Sequence, residues 1–171
     1  MPYLAAAVVL LGLLSAFNLL LTRALIRRMK EGAGPRPEVS AGPPVALKPG
    51  SRPAGFMAMT TNDEPVTAEN LTGLVGFFAA GCDPCHALAP AFAERARATG
   101  RGSMLAVVTG EDAELTAMLE PSVRVVVEDH DGTVSEAFQN TWTPALYLIG
   151  PDHAVLATGG RLEDLPLEAL A

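Results

Sequence analysis

Two cysteines are all the chain carries. That is too few for a disulfide-built scaffold, for an all-cysteine zinc site or for a cysteine-ligated iron–sulfur cluster. Positive charge is also scarce, with 12 Lys and Arg against 19 Asp and Glu, a net charge of −7. A broad nucleic-acid-binding face needs clustered Lys and Arg to displace counterions from phosphate, so nucleic acid is excluded as a partner. Charged residues of either sign make up only 18%, while 49% are hydrophobic. Such a chain can bury enough apolar surface to offset its ordering entropy, which excludes disorder throughout. Its 171 residues suffice for one domain of ordinary size.

The charge is unevenly spread. Residues 1–53 hold seven Lys and Arg and two Asp and Glu, a net of +5. Residues 54–171 hold five Arg, no Lys and seventeen Asp and Glu, a net of −12. Three segments are expected: an anchor with its basic flank over 1–30, a linker over 31–53 and a folded domain over 54–171.

From Tyr3 to Thr22 run twenty uncharged residues, mostly Leu, Ala and Val. As a helix they would cover roughly 30 Å, the apolar thickness of a bilayer. A cleaved signal peptide would instead start with basic residues and end at a small-residue site. Here Arg23, Arg27, Arg28 and Lys30 come after the apolar run. A retained single-pass helix is therefore expected, with the lipid bilayer as a partner of residues 3–22. The basic flank argues that the C-terminal domain stays cytoplasmic. Residues 32–53 contain six Pro and four Gly, a composition that breaks helices and offers no apolar period. This is expected to be a tether.

Past Ala54 short apolar runs alternate with amphipathic stretches. FMAMTT (56–61), Leu74–Phe78, Met104–Thr109, Val123–Val127, Ala145–Ile149 and Ala154–Ala157 read as strands. Helices are expected over 84–98, 111–119, 134–138 and 163–170. The fold class is α/β, a mixed sheet flanked by helices, because only four residues (150–153) separate the last two strands and an antiparallel hairpin must join them.

Gly81-Cys82-Asp83-Pro84-Cys85-His86 comes directly after one strand and opens a helix. A cysteine at a helix N-terminus meets free N–H groups and the positive end of the dipole, which favour the thiolate. Pro84 is tolerated in a first turn. The spacing lets the sulfurs meet across one turn, so that Cys82 would attack a disulfide and Cys85 would resolve the mixed product. Other readings compete. Two buried structural thiols are one. A metal held by Cys82, Cys85 and His86 is another, with no further cysteine to complete a four-ligand structural zinc site. The spelling C-x-x-C-H also matches a c-type haem attachment sequence.

The run GFFAAGCDPCHALAPAF resembles the active-site segment of thioredoxin-like proteins, in particular the membrane-anchored TlpA-like thiol–disulfide oxidoreductases. Pro90 stands where that family's helix carries a proline. Thr143-Pro144, in WTPALYLIGPDHAVLATG, is similar to the family's cis-proline loop and terminal hairpin. TTNDEPVTAENLTG is similar to the strand and turn before the core. The resemblance covers residues 55–165. It implies a thioredoxin-like fold and disulfide exchange, chiefly reduction, with protein substrates and no cofactor or metal. A thiol electron donor, a membrane protein among the options, is implied as well. It also implies that Pro144 is cis and that Thr143 offers its backbone to substrate. It favours the extracytoplasmic side, against the basic flank.

The sequence departs from the pattern in two places. Gly81 replaces the Trp before the first cysteine, and Gly76 replaces the buried acid that helps deprotonate the resolving thiol. Asp83 and His86 are then the nearest titratable groups. Asp83 is expected to raise the Cys82 pKa and protonated His86 to lower it. A peroxiredoxin reading would need Thr at position 79, which is Ala. A non-catalytic membrane-tethered module that assembles redox enzymes or cytochromes is the alternative function.

Overall fold

The computed structural model describes residues 47–167, together with Gly12 and Ser15. The expected span 3–22 and most of the expected linker lie outside the described residues. Among the described residues no helix is long and apolar enough to cross a membrane.

β1 (Met57–Met59) and β2 (Pro65–Thr67) form an antiparallel ribbon. After them come β3 (Gly73–Ala79), α1 (Asp83–Thr99), β4 (Met104–Thr109), α2 (Ala113–Leu119), β5 (Arg124–Glu128), α3 (Thr133–Ala137), β6 (Ala145–Ile149) and β7 (Val155–Gly159). The main sheet has the order β5-β4-β3-β6-β7. β3, β4 and β5 run parallel, while β6 and β7 run antiparallel to their neighbours. This is the mixed sheet that the apolar runs imply, closed by the expected hairpin.

Central strands covered on both faces read as unbroken apolar runs, and β3, β4 and β6 do. Their alternating side chains feed two cores. Leu74, Phe78, Ala106, Val108 and Leu146 pack with Cys85, Ala89, Phe92 and Ala96 of α1. Val75, Phe77, Leu105, Val107 and Tyr147 pack with Val134, Ala137 and Phe138 on the opposite face. The buried stripe of α1 recurs at intervals of three and four, the period of one helical face. Pro90 lies inside this helix on its exposed side.

Two expectations differ from the structure. The composition assigns residues 47–53 to the tether, yet Leu47 is buried in the second core. Gly50 N–H donates to the Val155 carbonyl at 2.7 Å, and Val155 N–H donates to that of Ser51 at 2.8 Å. A Pro/Gly-rich strip has no period of its own, but it can still hydrogen-bond to a strand edge. The closing helix over 163–170 is, within the described residues, a 3-10 turn at Leu162–Asp164. Pro166 lacks the N–H an α-helix would need there. Positions 168–171 lie outside the described residues.

Candidate active site

Cys82 is the N-cap residue of α1, in extended conformation with φ −93° and ψ 99°. Its sulfur accepts from the Cys85 N–H at 3.3 Å, and its carbonyl accepts from the amides of Cys85 (2.9 Å) and His86 (3.2 Å). The two cysteines are joined as a disulfide, with Cα atoms 5.2 Å apart. Cys82 is half-buried, and Cys85 is fully buried in the first core. One sulfur can therefore meet a visitor while the other waits behind it. Gly81, at φ 68°, makes the turn from β3 into the helix, a backbone region that favours glycine. Asp83 and Pro84, both exposed, fill the first turn.

His86 is the half-buried next residue, and its Nε2 lies 2.9 Å from Asp112 Oδ2. Asp112 is the N-cap of α2, where its Oδ1 accepts from the Leu115 N–H at 3.0 Å. Its carboxyl is held below the ordinary range. The Leu115 amide is the largest cause, His86 and the Gly81 amide add to it, and burial opposes. Asp112 thus ties the cysteine turn to the neighbouring helix. In the sequence it reads only as an acidic helix start, with no sign that the acid reaches His86.

A depressed carboxylate contributes stability that is present above its unfolded value, 3.8, and lost as pH falls through the lower folded value. Asp112→Ala should be less stable than the parent at neutral pH in urea unfolding. The two curves should converge in acid, and a gap unchanged at about pH 2 would assign the loss to packing alone.

The Thr143–Pro144 peptide is cis. Phe77 pairs with Ala145 across β3 and β6, so the register puts Pro144 opposite Phe78, at the end of the sheet where Cys82 comes after β3. Both Thr143 and Pro144 are half-buried. A polar brace stands behind this loop. The Tyr147 hydroxyl donates to Asn140 Oδ1 at 2.9 Å, and Asn140 Nδ2 donates to the Trp142 carbonyl at 2.9 Å. Burial pushes the Tyr147 phenol up to about 12, with the Leu47 backbone and the Trp142 side chain pulling the other way. The indole Nε1 of Trp142 is itself buried without a hydrogen bond of full geometry.

A phenol with a raised pKa keeps its proton in the native state after the unfolded chain has released it. Stability should therefore fall as pH climbs from about 10 towards 12. Tyr147→Phe should remove that fall in a denaturation series; an identical fall in the variant would mean that another group causes it.

Packing accounts for the missing acid. A Cβ on Gly76 would come within 2.8 Å of Phe78 Cε2 and of Phe92 Cε2. Those rings meet edge to face, with centroids 5.3 Å apart. Where the resemblance implies a carboxyl, this chain places two phenylalanines.

The C-x-x-C-H spelling fits haem attachment poorly, since Cys85 is sealed in the core and His86 Nε2 is engaged by Asp112. Among the described residues no group of three or more His, Cys, Asp or Glu is arranged to hold a metal.

No protein-family model matches the chain, and comparison with the curated proteins found no match. Solved structures do match. The thioredoxin domain of a thiol-disulfide oxidoreductase from Bacteroides vulgatus superposes with a TM-score of 0.57 at 21% identity, over 70% of this chain and 94% of that one. A thio-disulfide isomerase from Thermus thermophilus gives 0.54 at 20% identity, over 72% and 92%. A secreted disulfide oxidoreductase from Mycobacterium tuberculosis gives 0.52 at 17% identity, over 67% and 90%. The fold is thioredoxin-like.

Proposed function

We propose that the chain is a membrane-tethered thiol–disulfide oxidoreductase of TlpA-like type, acting as a reductant of protein disulfides. The observation that carries this reading is the Cys82–Cys85 pair at the mouth of α1, with an accessible first sulfur and a buried second one. The fold shared with thiol–disulfide oxidoreductases supports it.

In the reduced state, the Cys82 thiolate faces the first-turn amides of α1, which favour negative charge on sulfur. It attacks one sulfur of the substrate disulfide and expels the other as thiolate. The Cys85 thiolate then attacks Cys82 Sγ, breaks the mixed disulfide and releases the second substrate thiolate. Two electrons pass to the substrate, its thiolates take up two protons, and the enzyme is left as the disulfide seen here. A thiol donor returns the pair to its reduced form. Thr143, just ahead of β6, pairs its backbone with an extended substrate segment beside Pro144. Asp83 and His86, the latter held by Asp112, are the polar side chains on the helix next to the pair. Residues 3–22 anchor the domain to the bilayer.

The test is insulin reduction by the full chain in detergent, with a dithiol as donor. Insulin should precipitate faster with the protein than with the donor alone. A rate equal to the donor's own would contradict the proposal and favour a non-catalytic assembly module. Alkaline-phosphatase and fluorescent-protein fusions at the C-terminus read out the side of the membrane. Phosphatase activity places the domain where disulfides persist, and fluorescence places it with the basic flank.

A further inference from the structure

Asp112 stands where the cysteine turn meets α2. Its Oδ2 lies 2.9 Å from His86 Nε2, and its Oδ1 accepts from the Leu115 N–H at 3.0 Å. The Gly81 amide faces the same carboxyl. One acid therefore meets both flanks of the pair, the residue before Cys82 and the residue after Cys85. Its side chain is 13% exposed, against 30% for that of His86. We propose that Asp112 is a positioning residue for the disulfide exchange: its carboxylate pins His86 and neutralises the imidazolium, so that the Cys82 thiolate is disfavoured and the pair is kept reducing. The inference rests on the oxidoreductase reading and deepens it.

The first support is the placement of His86. It is the fourth residue after Cys82, and its N–H closes a turn on the Cys82 carbonyl at 3.2 Å. Positions four apart share one helical face, so the imidazole lies on the side of α1 that carries the outer sulfur. An unpaired imidazolium there would favour the thiolate. The second support is the lack of any substitute. Residues 79–94, 110–123 and 139–144, which meet around the pair, contain no Lys or Arg. His86 is the one side chain in these segments that can carry positive charge, and it is the one that Asp112 holds.

The remaining charged groups nearby do not replace this acid. Asp83 on α1, Glu111 before α2 and Glu114 on α2 are exposed, where solvent and salt screen them. The carbonyl of Glu128 accepts from the Gly110 N–H, but its carboxylate is turned to the Val134 and Ser135 amides. His130 is exposed on a wall that it shares with Ala79 and Thr109. The rings around Gly76 exclude an acid in β3. Charge beside the cysteines is thus set from the start of α2. The Asp112 carboxyl lies below its ordinary range, so it is ionised wherever the thiol titrates. A disfavoured thiolate raises the free energy of the reduced form, which makes the pair a stronger reductant.

The experiment uses the reduced full chain in detergent, and the measured quantity is the rate of Cys82 alkylation by iodoacetamide against pH. The thiolate attacks the carbon and iodide leaves, so the rate follows the thiolate fraction. Asp112→Asn keeps a side chain that can cap α2 and removes the charge. It should raise the rate at about pH 6 by about threefold or more. His86→Gln should lower it by a similar factor. A rise in Asp83→Asn should vanish in about 1 M salt, while that in Asp112→Asn should persist. Equilibration with a dithiol buffer, in which two electrons and two protons pass from the buffer dithiol to the enzyme disulfide, should leave Asp112→Asn about threefold further towards the dithiol form than the parent. Asp112→Ser, which also caps a helix, carries the same predictions should the Asn protein unfold. An unchanged rate in these Asp112 variants, or a shift that salt abolishes, would overturn the inference. So would shifts of the same sign in Asp112→Asn and His86→Gln. With insulin still reduced by the parent, any of these results would leave the oxidoreductase reading standing. A parent that does not reduce insulin would remove both.

Discussion

Gly76→Asp is expected to destabilise the domain by about 3 kcal/mol or more, enough to consume much of an ordinary domain's margin. Gly76 sits on the central strand, paired with Ala106 on one side and Leu146 on the other. A new Cβ meets two aromatic carbons at 2.8 Å, so Phe78 and Phe92 must leave their edge-to-face packing. The carboxyl then enters an apolar layer that offers it no donor. Overpacking accounts for about 1–3 kcal/mol, and an unpaired buried polar group adds a similar amount. Gly76→Ala should show the first part alone. Urea midpoints compare the three proteins. An aspartate variant as stable as the parent would mean that the rings yield and the site accepts the acid the resemblance implies.

Cys82→Ser is expected to reduce disulfide-reducing activity by about a thousandfold or more, to the background of the donor. A serine hydroxyl at the helix mouth keeps the shape and loses the nucleophile. Cys85→Ser should behave differently. Cys82 remains half-exposed and able to attack, but nothing behind it releases the product. Turnover should stop while alkylation of Cys82 by iodoacetamide continues. If the two variants lost alkylation and turnover alike, the division of labour between an outer and an inner sulfur would be wrong.

Much of the frame can be read from sequence because long apolar runs have only one place to go. Met104–Thr109 has the same bounds in the structure as its apolar run predicts, and it is buried on both faces. The helix opened by the cysteine pair is longer by one residue at each end, Asp83–Thr99. The cis bond at Pro144 agrees with the resemblance. The illegible parts depend on contacts between distant segments. Leu47 sits in a Pro-rich stretch, and nothing local reveals that its side chain reaches the face beneath Phe77 and Tyr147. Asp112 reads as a helix start, and its pairing with His86, 26 residues away, needs the fold. His130 reads as a turn residue, and it is exposed, but it also lines a cavity together with Trp142 and Thr143.

The most direct test of the central claim is mass spectrometry of the Cys85→Ser protein after incubation with a disulfide-containing substrate and no reductant. A stable mixed disulfide between substrate and Cys82 is predicted, recovered on the peptide that contains Gly81 and Asp83. No adduct, or an equal yield of adduct at Cys85 in the Cys82→Ser protein, would contradict the assignment of Cys82 as the attacking sulfur.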